Sequence, residues 1–317
     1  MGQVSWRRAE GAKTVGMRMR ALALGVLVPV VLVSTPRGQV FRSAVDLASF
    51  GVTVVDKKGV LATDLGRDDF EVREDGQAQD IKLFARGDQA ESAPELHLGL
   101  LFDTSSSMEE NISFSRSAAI KFLNALLEAK DVTLVDFDTE IRVVRYGPQD
   151  FARLVERIRR RKPDGNTALY DALGVYLDGA AMEAGRRILV LYTDGGDTSS
   201  SMSFSEAQTL LRASDITLYA VGFLSHLSQS VQMDQRLKIR QLAEVTGGLA
   251  FFPSVIKELD ATYDKVLAEI RAQYTIGYLS ANTKTDGTWR KVEIRVKRPG
   301  LKVRTRQGYF APYRKHP

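Results

Sequence analysis

The stretch "LGLLFDTSSSMEEN", residues 98–111, decides how this 317-residue sequence is interpreted. Its apolar run ends at Asp103, and three consecutive serines follow. A short apolar run that stops at a polar cluster predicts a buried strand. Alternate residues of an extended chain project to the same side, so Asp103, Ser105 and Ser107 are expected to point together. The residues between them are expected to point away, which leaves one carboxylate and two hydroxyls beyond the end of the strand.

Strand-like and helical patterns alternate on both sides of this stretch, from residue 95 to residue 272. This alternation predicts an α/β fold with a doubly wound, mostly parallel sheet that is covered on both faces. A weak strand at residues 249–252 and a hairpin arm at residues 140–145 complete the predicted sheet. The other predicted strands are 96–102, 132–137, 188–193 and 216–222. The predicted helices are 115–128, 148–160, 168–184, 205–214, 234–246 and 256–273.

The segments on either side of this α/β part have a different pattern. Residues 39–94 and 273–317 contain short alternating runs separated by turn signals such as Asp75-Gly76, which is typical of antiparallel strands. Neither small set of strands would bury a face alone. We therefore expect the two segments to join as a small β-sandwich, with the α/β domain inserted between them.

Two further polar positions are expected at the same edge of the sheet. Thr167 lies in the loop "PDGNT" just before a predicted helix, and Asp194 follows the strand at residues 188–193. Ligands of open parallel sheets bind beyond the carboxyl ends of the strands. Carboxylates and hydroxyls are oxygen ligands that suit a hard cation, Mg²⁺ in the first place and Mn²⁺ or Ca²⁺ as alternatives.

Each of these residues also has a purely structural interpretation. Asp103 and its serines could cap a helix, as could Thr167, and Asp194-Gly195 could be only a turn. Asp197, three residues further on, could be an additional ligand or an outer neighbour of the ion, or it could face water. The order of the motifs along the chain favours a metal site, because all of the oxygen donors follow predicted strands or precede a predicted helix.

The N-terminal 38 residues are typical of an export segment. Arg18 and Arg20 precede the apolar run at residues 21–33, which is short for a membrane span. The segment is interpreted as a signal peptide or an uncleaved N-terminal membrane anchor, with a buried helix as the remaining alternative. The protein is therefore expected in the periplasm or outside the cell, with membrane attachment possible through this segment.

Composition excludes several other classes. The chain has no cysteine, so it has no disulfide, thiolate metal site or cysteine nucleophile. Its net charge of +5 does not indicate nucleic-acid binding. Residues 1–38 hold 6 of the 44 basic and 1 of the 39 acidic residues, so the rest of the chain has 38 basic and 38 acidic residues and no net charge. Residues 290–317 are basic, and they could contact lipid headgroups or an acidic partner, or simply form a solvated strand face.

The constellation of Asp103, Ser105, Ser107, Thr167 and Asp194 resembles the von Willebrand factor type A (VWA) domain and its metal-ion-dependent adhesion site. The resemblance covers about residues 95–272. In that family the hydroxyls contact the ion, the aspartates bind it directly or through water, and a partner's carboxylate often completes the coordination. Including the flanks, residues 43–312 resemble exported VWA-related proteins that are abundant in Acidobacteria.

The resemblance implies a protein-binding module, and two other functions stay open. The first function is adhesion to a protein that presents an Asp or Glu carboxylate, with no catalysis and no nucleic-acid partner. A metal-dependent phosphohydrolase is the second, although the sequence has neither the D-x-D pair of aspartyl-phosphate enzymes nor a G-x-x-x-x-G-K-[ST] loop. A structural role in an envelope complex, without metal-dependent binding, is the third.

Overall fold

A computed structural model describes residues 47–87, 94–126, 128–180 and 184–313 of the chain. The predicted export segment lies outside the described residues. Every helix in the described ranges is too short or too polar to span a bilayer.

Fourteen strands and six helices follow one another in the described residues. The strands are β1 (Leu47–Val55), β2 (Phe70–Glu74), β3 (Gln77–Gln79), β4 (Ile81–Arg86), β5 (Leu96–Asp103), β6 (Ala129–Phe137), β7 (Ile141–Tyr146), β8 (Arg186–Thr193), β9 (Thr217–Gly222), β10 (Leu249–Phe251), β11 (Tyr274–Leu279), β12 (Trp289–Val296), β13 (Lys302–Arg304) and β14 (Gly308–Phe310). The helices are α1 (Ile112–Ala125), α2 (Phe151–Arg160), α3 (Leu169–Ala180), α4 (Phe204–Ala213), α5 (Gln229–Glu244) and α6 (Ile256–Ala272).

The central sheet has six strands in the order β10-β9-β8-β5-β6-β7. All neighbours are parallel except β6 and β7, which form the predicted hairpin. Strand β5 is buried along its whole length, because helices cover both faces of the sheet. On one face Leu100 and Phe102 pack with α1, α2 and α6, and on the other Leu101 packs with α3, α4 and α5. The predicted doubly wound, mostly parallel fold is confirmed.

The flanking segments form two four-stranded sheets, β13-β1-β11-β4 and β14-β12-β2-β3. Each sheet combines strands from both sides of the α/β part, since β1 pairs with β11 and β2 pairs with β12. One apolar core, which includes Phe50, Val72, Tyr274 and Ile294, joins the two sheets. The α/β part is therefore inserted between strands that are paired with each other.

Local sequence signals explain several boundaries. Asp75 and Gly76 adopt positive φ values of 47° and 84°, as the two-residue turn between β2 and β3 requires. Helix α4 begins with a capping box, in which Ser203 Oγ accepts the Glu206 N–H and the Glu206 carboxylate accepts the Ser203 N–H at 2.8 Å. Helix α5 begins at Gln229, five residues before its predicted start at residue 234. The apolar residues of its first turns, Val231 and Met233, are exposed, so they do not show the buried helical periodicity on which the prediction relied.

Some of the basic residues between 290 and 313 lie on a solvated strand face, whereas Arg290 and Arg306 are buried. Strand β12 alternates buried and exposed positions, and its exposed Arg295 and Glu293 form an ion pair. Lys291, also exposed, lies on the same face. The positive charge of this face is partly neutralised within the sheet, because Glu293 pairs with Arg295.

Candidate metal centre

Asp103 ends β5 and is fully buried at the carboxyl edge of the central sheet. Its carboxylate accepts the Ser105 N–H at 3.0 Å, the Ser105 hydroxyl at 2.6 Å and the Thr193 hydroxyl at 2.6 Å. Burial, together with the negative charge of Asp194, raises the pKa of Asp103 to about 7. These hydrogen bonds tie Asp103 to its own loop and to β8, and it does not cap α1.

Asp194 follows β8, the strand next to β5 in the sheet, so the two carboxylates lie at neighbouring strand ends. It is 2% exposed, and its Oδ2 atom has no hydrogen-bond partner among the described residues. A buried carboxylate oxygen without a partner is costly unless something satisfies it. Gly195, with φ of +86°, turns the chain immediately afterwards, yet that turn leaves Asp194 Oδ2 free. The turn therefore accounts for Oδ1 of this carboxylate, which accepts the Gly196 N–H at 3.5 Å, but not for Oδ2.

The serine loop follows the alternation expected from the sequence. Ser105 is buried, and its hydroxyl lies 3.0 Å from that of Ser107. The Thr104 hydroxyl donates to the Phe137 carbonyl at 3.0 Å, away from the carboxylates. The Ser106 N–H donates to the Gly165 carbonyl, which joins this loop to the loop that carries Thr167. A D-x-S-x-S spacing thus places its two serine hydroxyls together.

Thr167 lies just before α3 and is 3% exposed. Its backbone is fixed by the third loop, since its N–H donates to Thr198 Oγ1 at 3.0 Å and its carbonyl accepts the Thr198 N–H at 2.9 Å. Thr167, Ser107 and Asp194 line one cavity of about 240 Å³. The structure therefore brings together the loops that carry all five predicted residues, while their role as metal ligands stays a prediction.

Asp197 has a structural role that the sequence-based interpretations did not include. Its carboxylate accepts the Tyr170 N–H at 3.0 Å and the Ser200 hydroxyl at 2.6 Å. The Ser200 hydroxyl in turn accepts the Asp171 N–H. Asp197 and Ser200 thus satisfy free N–H groups in the first turn of α3. Thr167 is not needed as the cap of this helix.

A buried ionic network behind the Thr167 loop was not apparent from the sequence. Asp136 and Asp138 are almost fully buried and contact Arg142, Arg157 and Arg161 at distances from 2.6 to 3.7 Å. Burial alone would raise the pKa of Asp138, but hydrogen bonds from Arg142 and from a backbone N–H hold it below its usual value. The Asp138 carbonyl also accepts the Ala168 N–H at 2.9 Å, so this network anchors the start of α3.

The rim of the centre contains a second feature that sequence reasoning missed. His226 Nε2 lies 3.8 Å from Asp194 Oδ2, and His226 Nδ1 lies 3.1 Å from the Asn111 amide nitrogen. These residues come from loops more than 30 residues away from Asp194 in either direction, so no local motif signals them. His97, by contrast, lies in β5 and contacts Asp131 at 2.9 Å and the Ala184 carbonyl at 3.1 Å.

A hard divalent cation fits the oxygen ligands at this site. It consists of two neighbouring buried carboxylates, one with an unsatisfied oxygen, and of serine and threonine hydroxyls. No group of three or more His, Asp or Glu residues arranged to hold a metal occurs in the described part of the chain. A cation at this point would thus depend on hydroxyls as well as carboxylates.

The central strands of this doubly wound sheet end at acidic and hydroxyl side chains. The chain is therefore an α/β domain with an oxygen-lined crevice at the carboxyl edge of its sheet. Within this class, the sequence matches the von Willebrand factor type A domain over residues 97–265, more than half of its length. The chain belongs to the von Willebrand factor type A family.

Several solved structures are similar to the chain at low identity. The vWF domain of the type V pili tip protein Mfa5 from Porphyromonas gingivalis is 12% identical, with 56% of this chain and 97% of that chain covered and a TM-score of 0.46. The von Willebrand factor type A protein from Catenulispora acidiphila is 12% identical, with 86% and 75% covered and a TM-score of 0.45. The PilB minor pilin from Streptococcus sanguinis is 15% identical, with 57% and 62% covered and a TM-score of 0.45, so the chain spans less than two thirds of it. No curated protein matches the chain.

Proposed function

We propose that this chain is a protein-binding module of the bacterial cell envelope whose affinity depends on a divalent cation. Asp103, Ser105, Ser107, Thr167 and Asp194 would hold the ion, with Mg²⁺ as the first candidate and Mn²⁺ or Ca²⁺ as alternatives. The observation that carries the proposal is the unsatisfied Oδ2 atom of buried Asp194 beside the buried carboxylate of Asp103.

When bound, a divalent ion would supply positive charge between the two carboxylates and a coordination position for an Asp or Glu side chain of the partner. The chain's own residues prepare this arrangement. Ser105 and Thr193 hold the Asp103 carboxylate in one orientation through three hydrogen bonds. The cavity lined by Thr167 and Asp194 leaves room for an approaching acidic side chain.

Two neighbouring loops would set the specificity for the partner. Residues 108–113 include Asn111, and residues 223–233 include His226, and these two side chains contact each other at the rim. Val231, which is 44% exposed at the start of α5, lines the cavity. A partner that presents a carboxylate flanked by an apolar side chain would contact both features.

We propose further that the module is not an enzyme. His97 is held between Asp131 and the Ala184 carbonyl, near the opposite end of β5 from Asp103. His226 lies beside Asp194 with no serine hydroxyl among its described contacts, so no Ser-His-Asp arrangement supports nucleophilic catalysis. Phosphatase assays of the wild type and Asp103→Ala test this point: metal-dependent turnover that is lost in the variant would overturn it.

The cellular setting is also a proposal. The apolar segment at residues 21–33 supports export, with either cleavage or retention as a membrane anchor. The strands on both sides of the α/β part support the resemblance to the exported VWA-related proteins of Acidobacteria.

A pull-down from envelope extract, with and without EDTA, tests the binding function. We expect wild-type chain to retain a partner in Mg²⁺, and both EDTA and Asp103→Ala to release it. Ser106→Ala serves as the matched control and should retain the partner. Calorimetry with Mg²⁺ and Mn²⁺ decides between this mechanism and a structural role: if neither ion binds at millimolar concentration, cation-dependent binding is excluded and the structural role survives.

A further inference from the structure

Helix α5 packs directly on the turn that follows Asp194. Gly195 has a φ of +86°, which side chains disfavour, and α5 fills the space beside it. A Cβ atom at Gly195 would lie 2.7 Å from Ile239 Cδ1 and 3.1 Å from Gln235 Cβ. The helix therefore contacts the backbone next to the buried Asp194 carboxylate, and Gln235 brings a polar side chain to this contact.

Gln235 places a buried amide oxygen against the turn. Its Oε1 atom lies 3.3 Å from the same Cβ position and has no hydrogen-bond partner among the described residues. Its Nε2 atom lies 3.4 Å from the Asp234 carboxylate, on the exposed side of the helix. An ionised carboxylate only accepts hydrogen bonds, so the amide nitrogen belongs on that side and the oxygen on the buried side. A buried amide oxygen without a donor is costly.

Gln235 Oε1 and Asp194 Oδ2 are two buried acceptors without partners, and both residues line the cavity of about 240 Å³ at the candidate metal centre. The other polar side chains that line it are uncharged: Ser106, Ser107, Asn166, Thr167 and Thr198. Among the described residues, Asp194 is the only ionisable side chain of this lining, so the chain provides no cation there. A cation or a hydrogen-bond donor from outside the chain would satisfy both acceptors.

The cavity is larger than a bare ion needs. One water takes up about 30 Å³ in the liquid, so a volume of about 240 Å³ has room for a divalent ion together with several waters. Mg²⁺ in particular keeps several of its waters when a protein binds it. A water on a divalent ion donates hydrogen bonds, which suits an acceptor that lies outside the direct ligands of the ion.

We propose that Gln235 is a further cation-binding residue of the candidate centre, and that its Oε1 accepts a hydrogen bond from a water molecule bound to the ion. This inference rests on the proposed cation-dependent function and adds to it a residue on α5. Val231 lies one helical turn before Gln235, and both line the cavity. The ion would therefore fix the same face of α5 that an apolar side chain of the partner would contact.

Calorimetry with Mg²⁺ on the full chain tests the role of the amide oxygen. Gln235→Met has a side chain of similar length without the oxygen, and it should bind Mg²⁺ about tenfold more weakly than the wild type. Gln235→Glu keeps an oxygen at this position and adds a negative charge, so it should bind Mg²⁺ at least as tightly as the wild type. Gln229→Met is the matched control, at an exposed position in the first turn of α5, and should leave the affinity unchanged.

Stability in EDTA separates this role from a structural one. Gln235→Met should be at least as stable to chemical denaturation as the wild type in EDTA, since it removes a buried acceptor that no donor satisfies. Added Mg²⁺ should slow amide hydrogen exchange of residues 231–240 in the wild type and slow it less in Gln235→Met. Lower stability of Gln235→Met in EDTA, or equal weakening of Mg²⁺ binding by Gln235→Met and Gln235→Glu, would assign the effect to packing and overturn the proposal.

The same measurements distinguish failure of this inference from failure of the proposed function. If the wild type, Gln235→Met and Gln229→Met bind Mg²⁺ with equal affinity, Gln235 is excluded and the cation-dependent function stands. If the wild type binds neither Mg²⁺ nor Mn²⁺, the proposed function is excluded, and the role of Gln235 is excluded with it.

Discussion

Replacing Asp103 with asparagine should stabilise the metal-free protein at high pH while it removes the response to Mg²⁺. Without an ion, burial and the neighbouring charge of Asp194 raise the pKa of Asp103 from 3.8 to about 7. The folded state therefore holds a proton that the unfolded state has released between about pH 4 and pH 7. In that window the free energy of unfolding falls as pH rises.

The size of this effect follows from the pKa difference. At about 1.4 kcal/mol for each tenfold change in proton affinity, a pKa that rises from 3.8 to about 7 corresponds to about 4 kcal/mol of stability lost by pH 8. Asparagine has no charge to bury, and its amide can accept from Ser105 and donate to the Thr193 hydroxyl. In EDTA, Asp103→Asn should therefore gain stability of this order at pH 8 and little at pH 4.

Chemical denaturation in EDTA and in excess Mg²⁺, at pH 4 and pH 8, measures both effects. Mg²⁺ at a hundred times its dissociation constant should stabilise the wild type by about 2.7 kcal/mol and leave Asp103→Asn unchanged. Asp80→Asn, at a carboxylate whose side chain is 88% exposed, is the control and should behave as wild type. The reasoning fails if Asp103→Asn is no more stable than the wild type at pH 8 in EDTA.

Two further predictions concern the loops around the centre. Ser107→Ala should abolish Mg²⁺ binding measured by calorimetry. Ser106→Ala, at the adjacent exposed serine, should leave Mg²⁺ binding nearly intact. Equal losses in the two variants would show that the alternation of side chains does not select the ligands. Asp197→Ala should lower the free energy of unfolding by about 1–2 kcal/mol, because α3 loses its bond from Tyr170 N–H to a side-chain oxygen. Asp197→Asn keeps an acceptor oxygen and should lose less; a loss equal to that of alanine would mean that the cap is not the cause.

Much of the centre could be predicted because it depends on local periodicity. The alternation of Asp103, Thr104 and Ser105 follows from extended backbone geometry, and the proximity of Asp194 follows from the parallel pairing of β5 with β8. The two strand ends that carry Asp103 and Asp194 are each marked by a few consecutive residues, and the α/β pattern makes their pairing the expected one. The doubly wound fold was predictable for the same reason, since strand and helix periods differ along the chain.

The remaining features depend on contacts between distant segments. Asp197 caps α3 across 27 residues, and His226 contacts Asn111 across 115 residues. Nothing near either residue marks its partner. A cleft of about 860 Å³ likewise arises where α4 meets strands from both ends of the described chain, so its existence depends on packing rather than on any motif.

The insertion of the α/β part between paired strands has a mechanical consequence. Tyr274 at the start of β11 lies opposite Arg86 at the end of β4, so the chain enters and leaves the α/β part at one place. The proposed partner would attach at Asp103, at the other end of β5. Tension between the partner and the flanking sheets would run along the axis of β5. The parallel ladders to β6 and β8 would then be loaded in shear, with many hydrogen bonds sharing the force rather than breaking one after another.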